Sequence, residues 1–214
     1  MPVALQAVPF LVVLLVAGLI LGALFGPWAV APIVVLVVFV LFFFRDPERR
    51  TPEGLGLVVS PADGRVTEVI RDRQGARVSI FLSVFNCHIN RSPVSGAVRE
   101  AVYTRGRFHP AWQGRASGDN ERNRLLIRSE TGDYGVTQVA GVLARRIVCT
   151  KRPGDEVARG ERIGLIRFGS RTDLDLPPGV EPLVSVGDRV KGGLTVMARA
   201  LPVEQAGQAA RLHA

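Results

Sequence analysis

The first 44 residues contain no Lys, Arg, Asp or Glu, and all 27 basic and 19 acidic residues lie in the remaining 170. A chain partitioned this way cannot fold as one evenly solvated globule. The front has no charge to present to water, and the remainder is long enough for one domain with its own core. Two apolar runs, Val3 to Phe25 and Trp28 to Phe44, are separated by the turn pair Gly26-Pro27. About 20 apolar residues cross a bilayer as a helix. The first run reaches that length and the second is at the short limit. Trp28 suits a membrane interface, and Arg45, Arg49 and Arg50 after the second run direct the rest of the chain to the cytoplasmic side. These features predict an apolar helical hairpin, or a shallow monotopic anchor, over 1–44 that holds a domain over 45–214 at the cytoplasmic face of the cell membrane. A cleaved signal peptide is the rival, and Ala29-Val30-Ala31 has the form of a cleavage site. Against it, no basic segment leads the first run, Pro32 follows at once, and a second apolar run comes next.

Beyond residue 45 the pattern is strand-like. Val58-Val59, Val66 to Ile70, Arg77 to Leu82, Val98 to Tyr103, Arg124 to Arg128, Val136 to Val142 and Ile163 to Phe168 are short runs bounded by Gly, Pro or Asp. The one helical candidate in the domain is weak and lies near the C-terminus. An internal echo joins Gly154-Asp155-Glu156-Val157 to Gly187-Asp188-Arg189-Val190, each followed by a basic residue and Gly. Gly and Asp supply left-handed turns between short strands, as in barrel-sandwich domains. The fold class expected is mostly β, a barrel-sandwich-like domain behind an apolar helical hairpin.

Net charge is +8, and only Lys151 and Lys191 among the basic residues are not Arg. Arg grips phosphate through paired hydrogen bonds, and a basic anchored domain is drawn to anionic headgroups. A genomic preference for Arg codons gives the same composition. Nucleic-acid binding is disfavoured by few aromatics and no basic helix or fingerprint. Two cysteines, Cys87 and Cys149, give no disulfide framework. Cys87 and His88 are strand neighbours facing opposite sides, which assigns Cys87 to the core rather than to a dyad. Three histidines without metal spacing argue against a metal site.

Three segments carry chemistry. In Arg167-Phe168-Gly169-Ser170-Arg171-Thr172-Asp173, the Ser170 hydroxyl can attack the Gly169 carbonyl, which no side chain shields. The resulting ester is a leaving group for β-elimination, and hydrolysis of the dehydroalanine leaves a pyruvoyl group and ammonia. The plain alternative is a serine in a tight turn. The serine needs a base, and imidazole is poised near neutral pH. His88, in the mostly apolar run Ile80 to Ile89, is the first candidate, although a core histidine is commonly a hydrogen-bond partner only. His109, in a loop flanked by Gly and Pro, is the second, and His213 is discounted. Asp63, in Ser60-Pro61-Ala62-Asp63-Gly64, is either a turn residue or the acid that holds His88 in one tautomer.

Taken together, these segments resemble the phosphatidylserine decarboxylase family in its short, pyruvoyl-dependent form. The resemblance runs from about Phe44 to Leu201. It includes Phe44-Arg45-Asp46-Pro47, Ser60 to Gly64, Phe85 to Gly96, Gly106-Arg107-Phe108, Asn120 to Asn123, Arg167 to Asp173 and Gly187 to Val190. It implies a proenzyme that cuts itself between Gly169 and Ser170. The β chain 1–169 and the α chain 170–214 then stay together as a heterodimer. Ser170 becomes the covalent pyruvoyl cofactor, with Asp63 and His88 as the matching acid and base. The substrate amine would form a Schiff base with the pyruvoyl ketone, which takes up the electrons left as CO2 departs. The product is phosphatidylethanolamine. Longer members carry two histidines three apart where this chain has His88 and Arg91, so decarboxylation falls to His88, His109 or Arg91. The alternative from another class is a membrane-anchored barrel-sandwich adaptor or carrier without catalysis. Such a carrier needs a modifiable lysine between methionines or a long coiled coil; Lys191 lacks the flanks and no heptad run exists.

Overall fold

The computed structural model describes residues 3–107, 120–141, 146–167 and 170–200, and divides the chain into Met1–Glu48 and Arg49–Ala214. The first unit is a pair of apolar helices. α1 (Val8–Phe25) continues a short 3-10 turn, Leu5–Ala7, so that Leu5–Phe25 is one apolar helix of 21 residues, long enough to cross a membrane. Gly26, at φ 82°, reverses the chain into the turn Pro27–Val30. α2 (Ala31–Phe43) follows with 13 residues, too short to cross alone at 1.5 Å per residue. Small residues let the two helices approach: a methyl added at Gly18 would lie 3.3 Å from Ile33 and one at Gly22 3.0 Å from Val30. The two ends are tied, with Ala4 N–H donating to Phe44 O at 2.9 Å and Val3 bridging Arg45. Arg45 closes α2 by donating to Phe42 O while lying over the Phe42 ring. Leu15, Leu19, Leu24 and Val35 point outward, and Trp28 at the turn is 88% exposed. A helix pair apolar all round has its complement in lipid, not water.

The second unit is all strand and turn among the described residues. Its strands are β1 (Leu57–Val59), β2 (Gly64–Asp72), β3 (Gly75–Leu82), β4 (Ile89–Arg91), β5 (Gly96–Thr104), β6 (Arg122–Ser129), β7 (Gly132–Ala140), β8 (Ile147–Cys149), β9 (Glu156–Val157), β10 (Arg162–Ile166), β11 (Ser170–Leu176), β12 (Arg189–Val190) and β13 (Val196–Arg199). Eight form one curled half-barrel in the order β12-β2-β3-β11-β7-β6-β5-β9. β4-β10-β8 and β1-β13 make two smaller sheets. Alternate residues of the large sheet, among them Val66, Val78, Ile80, Leu82, Val98, Leu125, Ile127, Val136 and Leu174, fill one core. The mostly β class and the apolar helix pair are as the sequence predicts. The C-terminal helical candidate lies outside the described residues.

The large sheet reads as two copies of one four-strand unit. β12-β2-β3-β11 matches β9-β5-β6-β7, and the echoed turns stand at equivalent places. Gly187 N–H donates to Val66 O and Gly154 N–H to Val98 O. Gly187 and Gly154 have φ of 99° and 94°, which glycine adopts without steric cost. Ser60-Pro61 matches Ser92-Pro93: Ser60 Oγ donates to Ala62 O and Ser92 Oγ to Val94 O. The repeat therefore extends beyond the echo visible in the sequence.

Gly64 and Gly96 are equivalent in this repeat and start β2 and β5. A methyl at Gly64 would lie 2.2 Å from Phe81 O, and one at Gly96 2.0 Å from Arg128 O. The glycine of Asp63-Gly64 is thus required by close strand approach rather than by a turn. Either Gly→Ala change should cost about 1–3 kcal/mol, since backbone on both sides must shift. The denaturation midpoint of the full chain in detergent measures it.

Candidate active site

Ser170 opens β11, the strand at the centre of the large sheet. It pairs with Leu82 of β3 and Ala140 of β7. Alternation puts Ser170, Thr172 and Leu174 on the core side. Ser170 is 0% exposed, and its Oγ has no hydrogen-bond partner among the described residues. A buried hydroxyl without a partner costs about 1–3 kcal/mol, and such a group calls for a reason beyond folding. Gly169, the other half of the predicted cleavage site, lies outside the described residues, as does His109.

β4 and β10 bring His88 to the same end of the domain. They pair antiparallel, with Ile89 opposite Leu165, and Ile166 N–H donates to His88 O at 3.2 Å. Ser170 follows Ile166 by one short connection. A second tie joins β4 to β11 directly: Asn90 Nδ2 donates to Thr172 Oγ1 at 3.0 Å. His88 precedes Asn90 by two residues and Ser170 precedes Thr172 by two, so this bond ties the two segments together close to both. The Asn90–Thr172 bond ends a buried amide relay, in which Asn123 Nδ2 donates to Gln138 Oε1 and Gln138 Nε2 donates to Asn90 Oδ1. Gln138, Asn90 and Thr172 are fully buried. The relay crosses from β6 through β7 and β4 to β11, fixing the strands that carry the serine and the imidazole.

The imidazole is held by backbone. His88 Nδ1 lies 3.0 Å from Asn86 O. A carbonyl only accepts, so Nδ1 carries the proton and Nε2 of the neutral ring keeps its lone pair. Asn86 is itself held: Ser83 N–H and Oγ both donate to its Oδ1, and its N–H donates to Ser83 O. This Ser83–Asn86 turn is where the chain leaves β3.

Asp63 is engaged elsewhere. Its carboxylate takes a bidentate pair from Arg49, at 2.5 and 2.8 Å, and the Gly192 N–H at 2.8 Å. None of its hydrogen bonds goes to His88, whose Nδ1 meets the Asn86 carbonyl. The internal repeat explains its placement. Ser95 is the equivalent residue, and its Oγ accepts Arg159 N–H as Asp63 accepts Gly192 N–H. Asp63 reaches the histidine's strand through backbone: Pro61 O, two residues before it, accepts Arg91 N–H at 2.9 Å. Arg91 is buried and donates to Gly160 O.

A second buried ion pair, Arg171–Asp173, lies on the opposite face of β11, with Arg171 donating from Nε and Nη2. The site is therefore a short central strand fixed on both sides, beginning in a buried hydroxyl, with a tautomer-fixed imidazole brought to the same end.

The sequence matches the phosphatidylserine decarboxylase family over residues 36–198. The chain belongs to that family. It is 50% identical over 188 residues to the phosphatidylserine decarboxylase proenzyme of Nitratidesulfovibrio vulgaris (Hildenborough), an overlap of 84% of this chain and 87% of the relative. Within a family that includes a proenzyme, an unbonded serine in a finished core has a chemical reading. Asn86, Asn90, Gln138 and Asn123 were not singled out in the sequence. Ser83-x-x-Asn86 is a turn signal that could have been found; Gln138 sits in an apolar strand and gave none.

Arg49 and Asp63 are each about nine-tenths buried. Asp63→Ser should keep an acceptor for Gly192, as Ser95 does for Arg159, but strand the Arg49 charge, at about 3–5 kcal/mol. Adding Arg49→Met should restore most of that loss. Denaturation midpoints of the single and double variants read the difference.

Proposed function

We propose that this chain is a self-cleaving proenzyme that turns phosphatidylserine into phosphatidylethanolamine and CO2, with Ser170 as the source of a covalent pyruvoyl group. The observation that carries the reading is the buried, unbonded Ser170 Oγ at the start of β11. His88, with its proton fixed on Nδ1, takes the Ser170 hydroxyl proton at Nε2. Oγ then attacks the Gly169 carbonyl carbon, and the peptide C–N bond gives way to a C–O ester. Loss of the Cα proton of residue 170 expels the carboxylate of 1–169 and leaves dehydroalanine. Water replaces its nitrogen, releasing ammonia and leaving a ketone at the new N-terminus.

That ketone, once formed, supplies an electron sink for the decarboxylation. The protein's own part is to hold the position in place. After the cut, β11 remains hydrogen-bonded to β3 on one side and β7 on the other, while β12 and β13 remain paired to β2 and β1. The α chain 170–214 thus stays on the β chain 1–169 as a heterodimer. Asp63 and Arg49 act on His88 through the Pro61–Arg91 backbone bond, as positioning residues. The hairpin over 1–44 enters and leaves the bilayer on one side, since its two ends are tied together, and Arg45 beyond α2 favours the cytoplasmic face.

Ser170→Ala should abolish both cutting and CO2 release, having no hydroxyl to attack or eliminate. Intact mass should give 1–169 and 170–214 for the wild type and one chain for the variant. His88→Ala should slow cutting by about 10²–10⁴-fold, seen as uncut chain on a gel. A wild type that stays uncut yet releases CO2 would overturn the mechanism. Removing 1–44 should weaken binding to phospholipid vesicles, measured by sedimentation, since no other part of the chain matches a bilayer's apolar interior.

A further inference from the structure

The β4-β10-β8 sheet carries two arginines opposite one another at its active-site end. Its last ladder pair is Ile166 opposite Ile147. One step further, Arg167 N–H donates to Arg146 O at 3.2 Å, so Arg167 stands across from Arg146. Cross-strand partners share a face with Cβ atoms about 5 Å apart, and like charges there are destabilising. Arg146 is exposed and Arg167 half-buried. Burial, and then the Arg146 charge, hold the Arg167 guanidinium below its ordinary pKa. No described carboxylate pairs with Arg146. Glu121 is at this end of the domain beside Tyr103, whose hydroxyl pKa it raises, while Arg105 and Arg146 add positive charge around that ring.

A folded ladder that sets two guanidiniums against each other gains when an anion sits between them. Two neighbouring guanidiniums suit a tetrahedral phosphate, whose oxygens accept charge-assisted hydrogen bonds from Arg. Their location restricts which anion. Ile166, bonded to His88 O, precedes Arg167, and Ser170 is three residues beyond it, within about 11 Å along the backbone. In the lipid substrate the phosphodiester is joined through one methylene to the carbon that bears the amine and the carboxylate. An amine brought to residue 170 therefore carries its phosphodiester only a few bonds away. We propose that Arg146 and Arg167 together form the subsite that binds the substrate's phosphodiester and so distinguishes the lipid headgroup from free serine. This rests on the decarboxylase reading above.

The test uses the full-length, self-cut protein with phosphatidylserine in neutral detergent micelles. Arg146→Ala and Arg167→Ala should each raise KM about tenfold or more, with a smaller change in kcat. Arg146→Lys should fall between, keeping charge without the fork. Glycerol 3-phosphate should compete with substrate in the wild type and lose its effect in the variants. Unchanged KM and unchanged glycerol 3-phosphate sensitivity in Arg146→Ala would overturn the subsite. So would a defect confined to vesicles of phosphatidylserine with phosphatidylglycerol and absent in neutral micelles, because that marks general attraction to an anionic surface. Arg167 is next to the cleavage segment; if its variant is not cut, the exposed Arg146 decides alone. A wild type that neither cuts itself nor releases CO2 overturns the decarboxylase reading and the subsite with it, whereas an active wild type with indifferent arginine variants removes the subsite only.

Discussion

The double ladder on β11 is the constraint on which the rest of this structure depends. Ser170 to Asp175 pair with β3 on one side and β7 on the other, without a break in register. A central strand held along both edges cannot slip by one residue without turning its whole buried face outward. That is why Ser170 is interior and Arg171 is not on its side. On the proposed reading, the same ladders would keep the strand in place after a cut at its first peptide bond, because the hydrogen bonds that fix Ser170 take no part in that reaction.

The internal repeat gives this strand an instructive counterpart. In one half, β6 and β7 join by a tight hairpin, with Ser129 opposite Gly132. At the equivalent point in the other half, Leu82 stands opposite Ser170, and the chain departs and returns by way of β4 to β10. The opened hairpin makes room for the Ser83–Asn86 turn, His88 and the amide relay. Asp63 and Ser95 show a smaller departure of the same kind. Both accept a turn N–H, and only Asp63 carries a charge, which Arg49 neutralises. A buried carboxylate without that partner would be costly, and the Arg49 contact links the entry of the domain to its site.

The apolar front obeys different physics. α1 and α2 meet through Gly18 and Gly22 and present Leu, Val and Trp28 outward, so their favourable surroundings are hydrocarbon. A decarboxylase whose substrate is a membrane lipid gains from an anchor that keeps it at the surface where that lipid resides.

Local chemistry made much of this legible in the chain. The charge-free 44 residues determine an apolar helix pair whatever the domain does, because hydrophobicity acts residue by residue. The Gly-Asp turns, most strands and Ser170 are likewise local: each depends on residue type and near neighbours. β11 itself was missed as a strand, since Ser170-Arg171-Thr172-Asp173 is too polar to read as a core run until its neighbours bury it. The histidine's backbone contact was not legible for a similar reason. An acid is the natural orienter in a linear chain, whereas the carbonyl of Asn86, two residues from His88, meets its Nδ1 once the Ser83 turn forms, and Asp63 binds Arg49. Hydrogen bonds between segments far apart in sequence, Asn90 to Thr172 and Gln138 to Asn90, are set by how strands cross in space. Only the tertiary structure decides them, because no pattern along one strand records which face of another it will meet.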